Sequence, residues 1–172
     1  MSEILDLIND GDAMVLTGRT EAAEMLLSQP DLIKELATAL DSPHVGLKSR
    51  ALEAMRIACE SNPEIILPIK FALLDCFEAA TSWQAVQNLC ILLPFLGLTP
   101  EEMESQMPKL FGLLESKSRI TIVSAMQCLT EFALAHRPFK AFVAPEIWKL
   151  TQSGAASAQA RGKKLMKLLE AL

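Results

Sequence analysis

The chain has no tyrosine, two histidines and seven glycines in 172 residues, and only 5% of its residues are aromatic. It contains no P-loop, no zinc-binding HExxH motif and no Rossmann glycine fingerprint, whose chemistry depends on glycine or histidine at fixed spacing. We therefore expect no enzyme, no cofactor and no bound metal. Period-2 alternation of β-branched residues and Gly-rich hairpin turns are also missing, so no strands are expected.

Long apolar runs are missing as well. No run reaches the roughly 18–20 residues that a membrane-spanning helix needs. The longest uncharged stretch, 79–99, includes Gln84, Asn88 and Pro94, which indicates a buried helix and no contact with a membrane. The first residues lack the basic segment of a secretory signal, so we expect a cytoplasmic protein.

Cysteine is present but without metal-ligand spacing. Cys59, Cys76, Cys90 and Cys128 form no CxxC pair and no cluster with histidine. Their number would allow two disulfides. Their positions inside apolar helical runs favour buried thiols.

Cations are in the minority, with 16 Lys and Arg against 21 Asp and Glu and a net charge of −5. This balance argues against a general nucleic-acid binder, whose affinity depends on clustered cations. The charge is uneven, because residues 1–41 are acidic and the last predicted helix carries Arg161, Lys163, Lys164 and Lys167. Polar terminal faces can serve solubility alone. An acidic and a basic end would also favour head-to-tail contacts.

What the chain does have is a repeat of 37 residues, which aligns Leu36, Leu73, Leu110 and Ile147 in one column. A fixed period of this size is typical of a stacked repeat array. We assign all of the apolar columns to the core. The other columns are Ala37, Leu74, Phe111 and Trp148; Leu52, Leu89 and Met126; Met55, Leu92, Leu129 and Met166; and Ala58, Phe95, Phe132 and Leu169.

Each repeat is predicted to contain two helices, because apolar residues recur at helical spacing. The repeats span approximately 30–62, 63–99, 100–137 and 138–172 of a single domain, after an irregular capping unit, 1–29. The capping unit has predicted helices at Ile4–Ile8 and Thr20–Leu27, with a turn at Gly11 and Asp12. In the repeats the first helices are predicted at 31–41, 64–79, 101–115 and 139–152, and the second helices at 45–60, 82–96, 119–135 and 156–171.

The starts of three first helices carry capping signals. A hydroxyl residue followed three positions later by an acid fits a capping box, and a proline in each box lies near the first helical position. The boxes are Ser28 with Asp31 around Pro30, Ser61 with Glu64 around Pro63, and Thr99 with Glu102 around Pro100.

Two segments resemble HEAT repeats. They are 107–116, followed by Val123, Ala125 and Leu129, and 36–58. Pro108 and Pro145 lie one period apart inside first helices, where HEAT units often bend. The resemblance implies an all-α fold, an α-α superhelix or HEAT/ARM-like solenoid of about four helix pairs. It also implies that the second helices line a concave wall, while armadillo-like packing is a neighbouring alternative.

The wall positions of the second repeat carry no charge, and this marks the candidate binding site. The row could be a partner-binding ridge, or it could be apolar because a central helix is covered on more sides. Pro94 should kink or end its helix. The candidate partner-binding residues are Trp83, Gln87, Cys90, Pro94, Ile57, Ile120, Arg50 and Gln127.

The sequence therefore predicts a non-catalytic protein-interaction module or scaffold for a protein or peptide partner, and leaves self-association open. One alternative is a HEAT-like nucleic-acid-binding protein, although nucleic acid is the less favoured partner. Another alternative is an enzyme accessory resembling HEAT-like bilin lyases, for which fold alone is the warrant. The cations available to a nucleic acid would be Lys48, Arg50, Arg56, Arg161, Lys164 and Lys167.

Overall fold

The computed structural model describes residues 2–9 and 17–172, and these form helices joined by short turns, with no strand among them. The prediction of an all-α fold is confirmed. The helices are α1 (Glu3–Asn9), α2 (Arg19–Ser28), α3 (Ile33–Ala37), α4 (Val45–Ser61), α5 (Lys70–Ala79), α6 (Trp83–Leu92), α7 (Pro100–Leu113), α8 (Arg119–Ala135), α9 (Lys140–Ser153) and α10 (Ala156–Glu170).

The chain divides into two compact units, Met1–Gly97 and Leu98–Leu172. The first unit contains α1 to α6 and the second contains α7 to α10. The division falls close to the predicted boundary between repeats 63–99 and 100–137. In the capping unit, both predicted helices form, as α1 and α2. The predicted turn at Gly11 and Asp12 lies outside the described residues.

In the first unit, α4 is the central helix and packs against α1, α2 and α6. Its apolar residues recur at helical spacing, so that Leu52, Met55 and Ala58 are fully buried. An apolar stripe of this kind can be covered only by neighbouring helices. The core of the first unit therefore follows α4.

Prolines shorten two predicted helices of the first unit. Residues 63–69 form a 3-10 segment that contains Pro68, and the α-helix begins only at Lys70. α6 ends at Leu92, and a 3-10 turn that contains Pro94 follows it. Proline has no N–H to donate to the preceding turn, and its ring clashes with the carbonyl there. The predicted effect of Pro94 is confirmed, whereas the predicted α-helix over 64–79 is wrong for its first turns.

The predicted helix at 31–41 is also interrupted, since only α3 is α-helical and 3-10 segments lie on both sides of it. In the second unit, α7, α8, α9 and α10 match their predicted ranges to within about two residues, the usual uncertainty of helix ends. Pro108 and Pro145 lie inside α7 and α9, as predicted.

In the second unit, α10 packs against α8 and α9, and α7 packs against α8. A glycine permits the close approach of α9 and α10. A Cβ at Gly162 would lie 2.1 Å from Oγ1 of Thr151, and 3.3 Å from Cε of Met126 in α8. Three helices therefore converge at Gly162.

The repeat columns are largely buried. Leu36, Leu73, Leu110 and Ile147 each have 0% of their surface exposed. The predicted core placement is wrong at Trp148, which is 53% exposed on α9, and at Phe95, which is 43% exposed in the 3-10 turn after α6. Four further column residues are only half-buried: Ala37, Leu74, Phe111 and Met166.

One of the three predicted capping boxes forms. Thr99 Oγ1 accepts from the backbone N–H of Glu102 at 3.2 Å, and the Glu102 carboxylate accepts from the N–H of Thr99 at 2.8 Å. The other two boxes are wrong. Ser28 donates backwards to the carbonyl of Met25, and no side chain caps the 3-10 segment after Ser61.

Candidate functional site

The first unit has a surface groove between α4 and α6. α6 begins at Trp83, and Ser82 caps it by accepting a hydrogen bond from the N–H of Ala85 at 3.3 Å. Because α6 has no charged residue, its wall of the groove is neutral. The groove has a volume of about 360 Å³ and is lined by Ser49, Glu53, Arg56, Trp83, Gln84, Gln87, Asn88 and Ile91.

Two large apolar side chains mark the groove along α6. Trp83 and Ile91 are each 37% exposed. They are two turns apart, with Gln87 midway between them, so the three residues form one row on the helix surface. The groove therefore offers an apolar contact near each end of α6 and an amide in the middle.

A second amide, that of Asn88, stiffens the α6 wall. It is 5% exposed, and its Nδ2 donates to the carbonyl of Gln84 at 3.1 Å. This bond keeps the side chain along its own helix. A buried amide with a satisfied donor is a structural part of the wall and is not free to bind a partner through that donor.

The α4 wall is charged but internally neutralised. Arg56 donates to Glu53 and to Glu60, both at 2.7 Å, and Arg19 reaches Glu53 at 3.3 Å. The hydrogen bond to Glu53 is the main reason that the pKa of Arg56 rises above its ordinary value. The α4 wall therefore contributes one cation and one carboxylate to the groove lining, Arg56 and Glu53, and these are bonded to each other, so the wall presents little net charge to a partner.

Of the predicted site residues, Trp83 and Gln87 line this groove, whereas Ile57 and Pro94 are half-buried and lie outside its lining. Cys90 is 2% exposed, which corrects its placement on an open ridge. The exposed row continues from Gln87 to Ile91 because the groove lies on the α4 side of α6. Sequence reasoning missed Ile91, since the 37-residue columns place it in neither the core nor the wall.

Arg50 is the second correction. Its side chain is buried at 2% exposure, and its Nε donates to the backbone carbonyl of Ile8 at 2.6 Å. It therefore joins α4 to α1 and offers no guanidinium to a partner on a wall. The sequence does not signal this bond, because the acceptor is a backbone carbonyl 42 residues away in the chain.

Ile120 and Gln127 belong to the second unit. Ile120 is 43% exposed at the start of α8. Gln127 is half-buried, donates from Nε2 to Glu131 at 2.7 Å and accepts from Arg161 at 3.3 Å. Their predicted role in partner binding stays a prediction.

The second unit has a groove of its own, of about 520 Å³, at α7 and α9. Phe142, 63% exposed, is its most open apolar residue. Sequence reasoning missed this groove because it looked for binding only on the second helix of each pair. A usable signal is that Phe142 falls outside every apolar column. The lining residues are Phe111, Gly112, Leu114, Glu115, Phe142, Glu146, Lys149 and Leu150.

The cysteine side chains belong to the core. All four cysteines are buried thiols without a disulfide, as favoured from the sequence. Burial raises the pKa of Cys59 to about 12, so this thiol stays protonated and weakly nucleophilic at neutral pH. Among residues 2–9 and 17–172 no group of three or more His, Cys, Asp or Glu side chains could hold a metal ion.

Both histidines lie at helix caps. His44 is exposed at the N-cap of α4, and His136 ends α8 with its ring edge-to-face against Phe139, 4.7 Å between ring centroids.

Comparison of the chain with protein-family models, curated proteins and solved structures finds no match. Within the part of the chain that the structure describes, no helix is both long enough and apolar enough to cross a bilayer.

Proposed function

We propose that the chain is a non-catalytic protein-interaction module of the HEAT-like α-solenoid class, and that it receives a protein or peptide partner in the groove between α4 and α6. The observation that carries this proposal is the exposure of Trp83 and Ile91 on either side of Gln87 in a preformed groove. Tryptophan is enriched among the residues that dominate binding energy at interfaces.

The repeat supports the solenoid class. Column residues one period apart, such as Leu73 and Leu110, are equally buried although they lie in different units. A helix pair cannot bury its apolar stripe alone, so equivalent positions must be covered by stacked neighbours. The aligned helix pairs and their buried columns are what a HEAT-like array requires.

The chemistry of the groove favours a partner segment of mixed character. Its volume of about 360 Å³ suits a few side chains of a peptide. Trp83 and Ile91 would contact apolar side chains, and the amide of Gln87 would bond to the partner's backbone. Since the charges on α4 are balanced by Arg56 and Glu53, a strongly charged partner gains little there.

Nucleic-acid binding, the first alternative, is less well supported. Of the six cations that it would use, Arg50 is buried against Ile8 and Arg56 is bonded to two carboxylates. Titration of labelled DNA at low salt tests this alternative, because genuine phosphate contacts must weaken steeply as salt rises. The enzyme-accessory alternative has no specific residue in its favour.

The proposal is tested by affinity capture from native extract with wild type, Trp83→Ala and Phe71→Ala. Phe71 is the matched control, because it is an exposed aromatic of the same unit, at 71% exposure, that does not line the groove. We expect Trp83→Ala to lose the captured partner and Phe71→Ala to retain it, with unchanged helicity in both. Capture that is identical for all three proteins would overturn the proposal.

A further inference from the structure

The second unit exposes a basic and aromatic face on α9 and α10. The 37-residue period shows which residues of α9 and α10 lie on this face. In the preceding pair, Phe111 of α7 lines the groove toward α9, and Met126 of α8 lies against Gly162 of α10. The positions 37 residues further on are Trp148 and Lys163, so these two residues occupy the corresponding side of the pair α9–α10.

The side chains of α10 differ in polarity from those one period earlier in α8. Met126 and Thr130, one turn apart on α8, are fully buried, whereas their counterparts Lys163 and Lys167 are exposed. Two cations thus replace two packed residues, while Trp148 remains apolar and is 53% exposed. Tryptophan is enriched at protein interfaces, so an exposed tryptophan on the same side of the pair as two lysines can supply the apolar part of a contact.

The first unit exposes a face of opposite character on α2. This helix buries Ala22, Ala23 and Leu26 against its neighbours. Its other side exposes Glu21, Glu24 and, at 38%, Leu27. The three residues lie within two turns at spacings of three, so they are adjacent on the helix surface.

We propose that a second copy of this chain docks head to tail, with Trp148, Lys163 and Lys167 of one copy against Leu27, Glu21 and Glu24 of the next. Each face supplies two like charges and one apolar side chain, and the charges are complementary between the faces. Complementary charge raises the rate of encounter and fixes the register of docking. Because the two faces differ, the contact is heterologous and builds chains or rings of copies.

This proposal does not rest on the α4–α6 groove, and Trp83→Ala should leave self-association unchanged. The first measurement is sedimentation velocity of the wild-type protein over a range of concentrations, at about 20 mM and about 500 mM salt. We expect the average mass to rise with concentration at low salt and to return to that of the monomer at high salt. A monomer at every concentration and both salts would overturn the proposal, and would leave the lysines as a solubilising or nucleic-acid-binding surface.

Charge reversal identifies the faces. Glu21→Lys with Glu24→Lys gives a chain with two positive faces, and Lys163→Glu with Lys167→Glu gives one with two negative faces. Each variant alone should be monomeric, and the equimolar mixture should associate again. The control is Lys117→Glu with Arg119→Glu, which reverses two other exposed cations of the second unit and should still self-associate.

The apolar part of the contact is tested by Trp148→Ala, which should weaken self-association about tenfold with helicity unchanged. The proposal is overturned if either reversal variant associates like wild type, or if the mixture of the two stays monomeric. It is also overturned if the control loses association as fully as the paired reversals do, because net charge alone would then explain the effect.

Discussion

The two compact units are built on one repeat, but they hold their helices together by different means. In the first unit, Arg50 bonds to the carbonyl of Ile8, and Glu53 receives cations from two helices. In the second unit, the closest approach depends on the absence of a side chain at Gly162. A buried polar bond joins separate helices in the first unit, whereas in the second unit the bond from Arg161 to Gln127 is exposed and the buried contact is the close approach at Gly162.

The difference shows what a repeat pattern determines. The 37-residue period predicts most of the buried positions in both units, although some column members, such as Phe95 and Trp148, are exposed. It does not set how neighbouring helices are joined at their edges, because the edges are where the units differ in sequence. The open α4–α6 groove is one such edge, and the basic face of α9–α10 is another.

The strongest effect is expected at a column shared by the units. Leu92 of α6 and Leu129 of α8 are one period apart and fully buried. Replacement of either by alanine should lower the free energy of unfolding by about 2–5 kcal/mol, through lost burial and a remaining cavity. Chemical denaturation measures both changes. Leu168→Ala, at a 45% exposed site on α10, is the control and should cost far less. A negligible cost at only one of these two positions would break the equivalence of the units.

The next effect concerns the polar bond of the first unit. Arg50→Ala should lower the free energy of unfolding by about 2–3 kcal/mol, because it removes a charge-assisted hydrogen bond and leaves the Ile8 carbonyl buried. Arg119→Ala is the control, since Arg119 is exposed at the start of α8. Thermal unfolding compares them. Equal, small losses in the two variants would mean that Arg50 does not hold α1 to α4.

Replacement by alanine should change stability in opposite directions at two glycines of the second unit, because helices approach closely at only one of them. Gly162→Ala should cost about 1–3 kcal/mol, because its Cβ overlaps Thr151 and overpacks the contact between helices. Gly112→Ala should stabilise by about 0.5–1 kcal/mol, since it lies in α7 with open space around a new Cβ. Stability changes of the same sign at both sites would contradict this account.

The smallest expected effect is the difference in stability cost between removing the capping hydroxyl of the box that forms and removing that of a box that does not form. Thr99→Ala should cost about 1 kcal/mol by leaving an N–H of the first turn of α7 without its side-chain acceptor. The same box holds Glu101, whose pKa is lowered chiefly by a hydrogen bond from its own backbone N–H. Ser28→Ala should cost little, because Ser28 bonds only to the exposed carbonyl of Met25 at the end of α2. Urea denaturation would show whether the two costs differ in this order.

The helices could be predicted from the sequence because their cause is local. Apolar spacing marked α8, α9 and α10, and Pro94 marked the end of α6. The failures were also local in cause. Pro68 lies inside a predicted α-helix and turns its first part into a 3-10 segment. Serine three residues before an acid is a frequent pattern, and at Ser28 the hydroxyl found a closer acceptor in its own helix.

The groove could be predicted only in part. Trp83 and Gln87 were identified because the second helix of that repeat carries no charge. Cys90 and Arg50 were misplaced, since a period gives the position of a residue along the repeat and not the side from which neighbours cover it. Trp148 was assigned to the core by its column, although the columns do not show whether a neighbour covers each member.

The claim on which the function depends is that a partner contacts the α4–α6 groove of the first unit. It is tested most directly by a photo-crosslinking phenylalanine analogue placed at Trp83 or at Phe71, each an exposed aromatic site of this unit. In native extract, light should join the partner to position 83 and leave position 71 without a product. Crosslinking of the same partner from position 71, with none from position 83, would contradict the account.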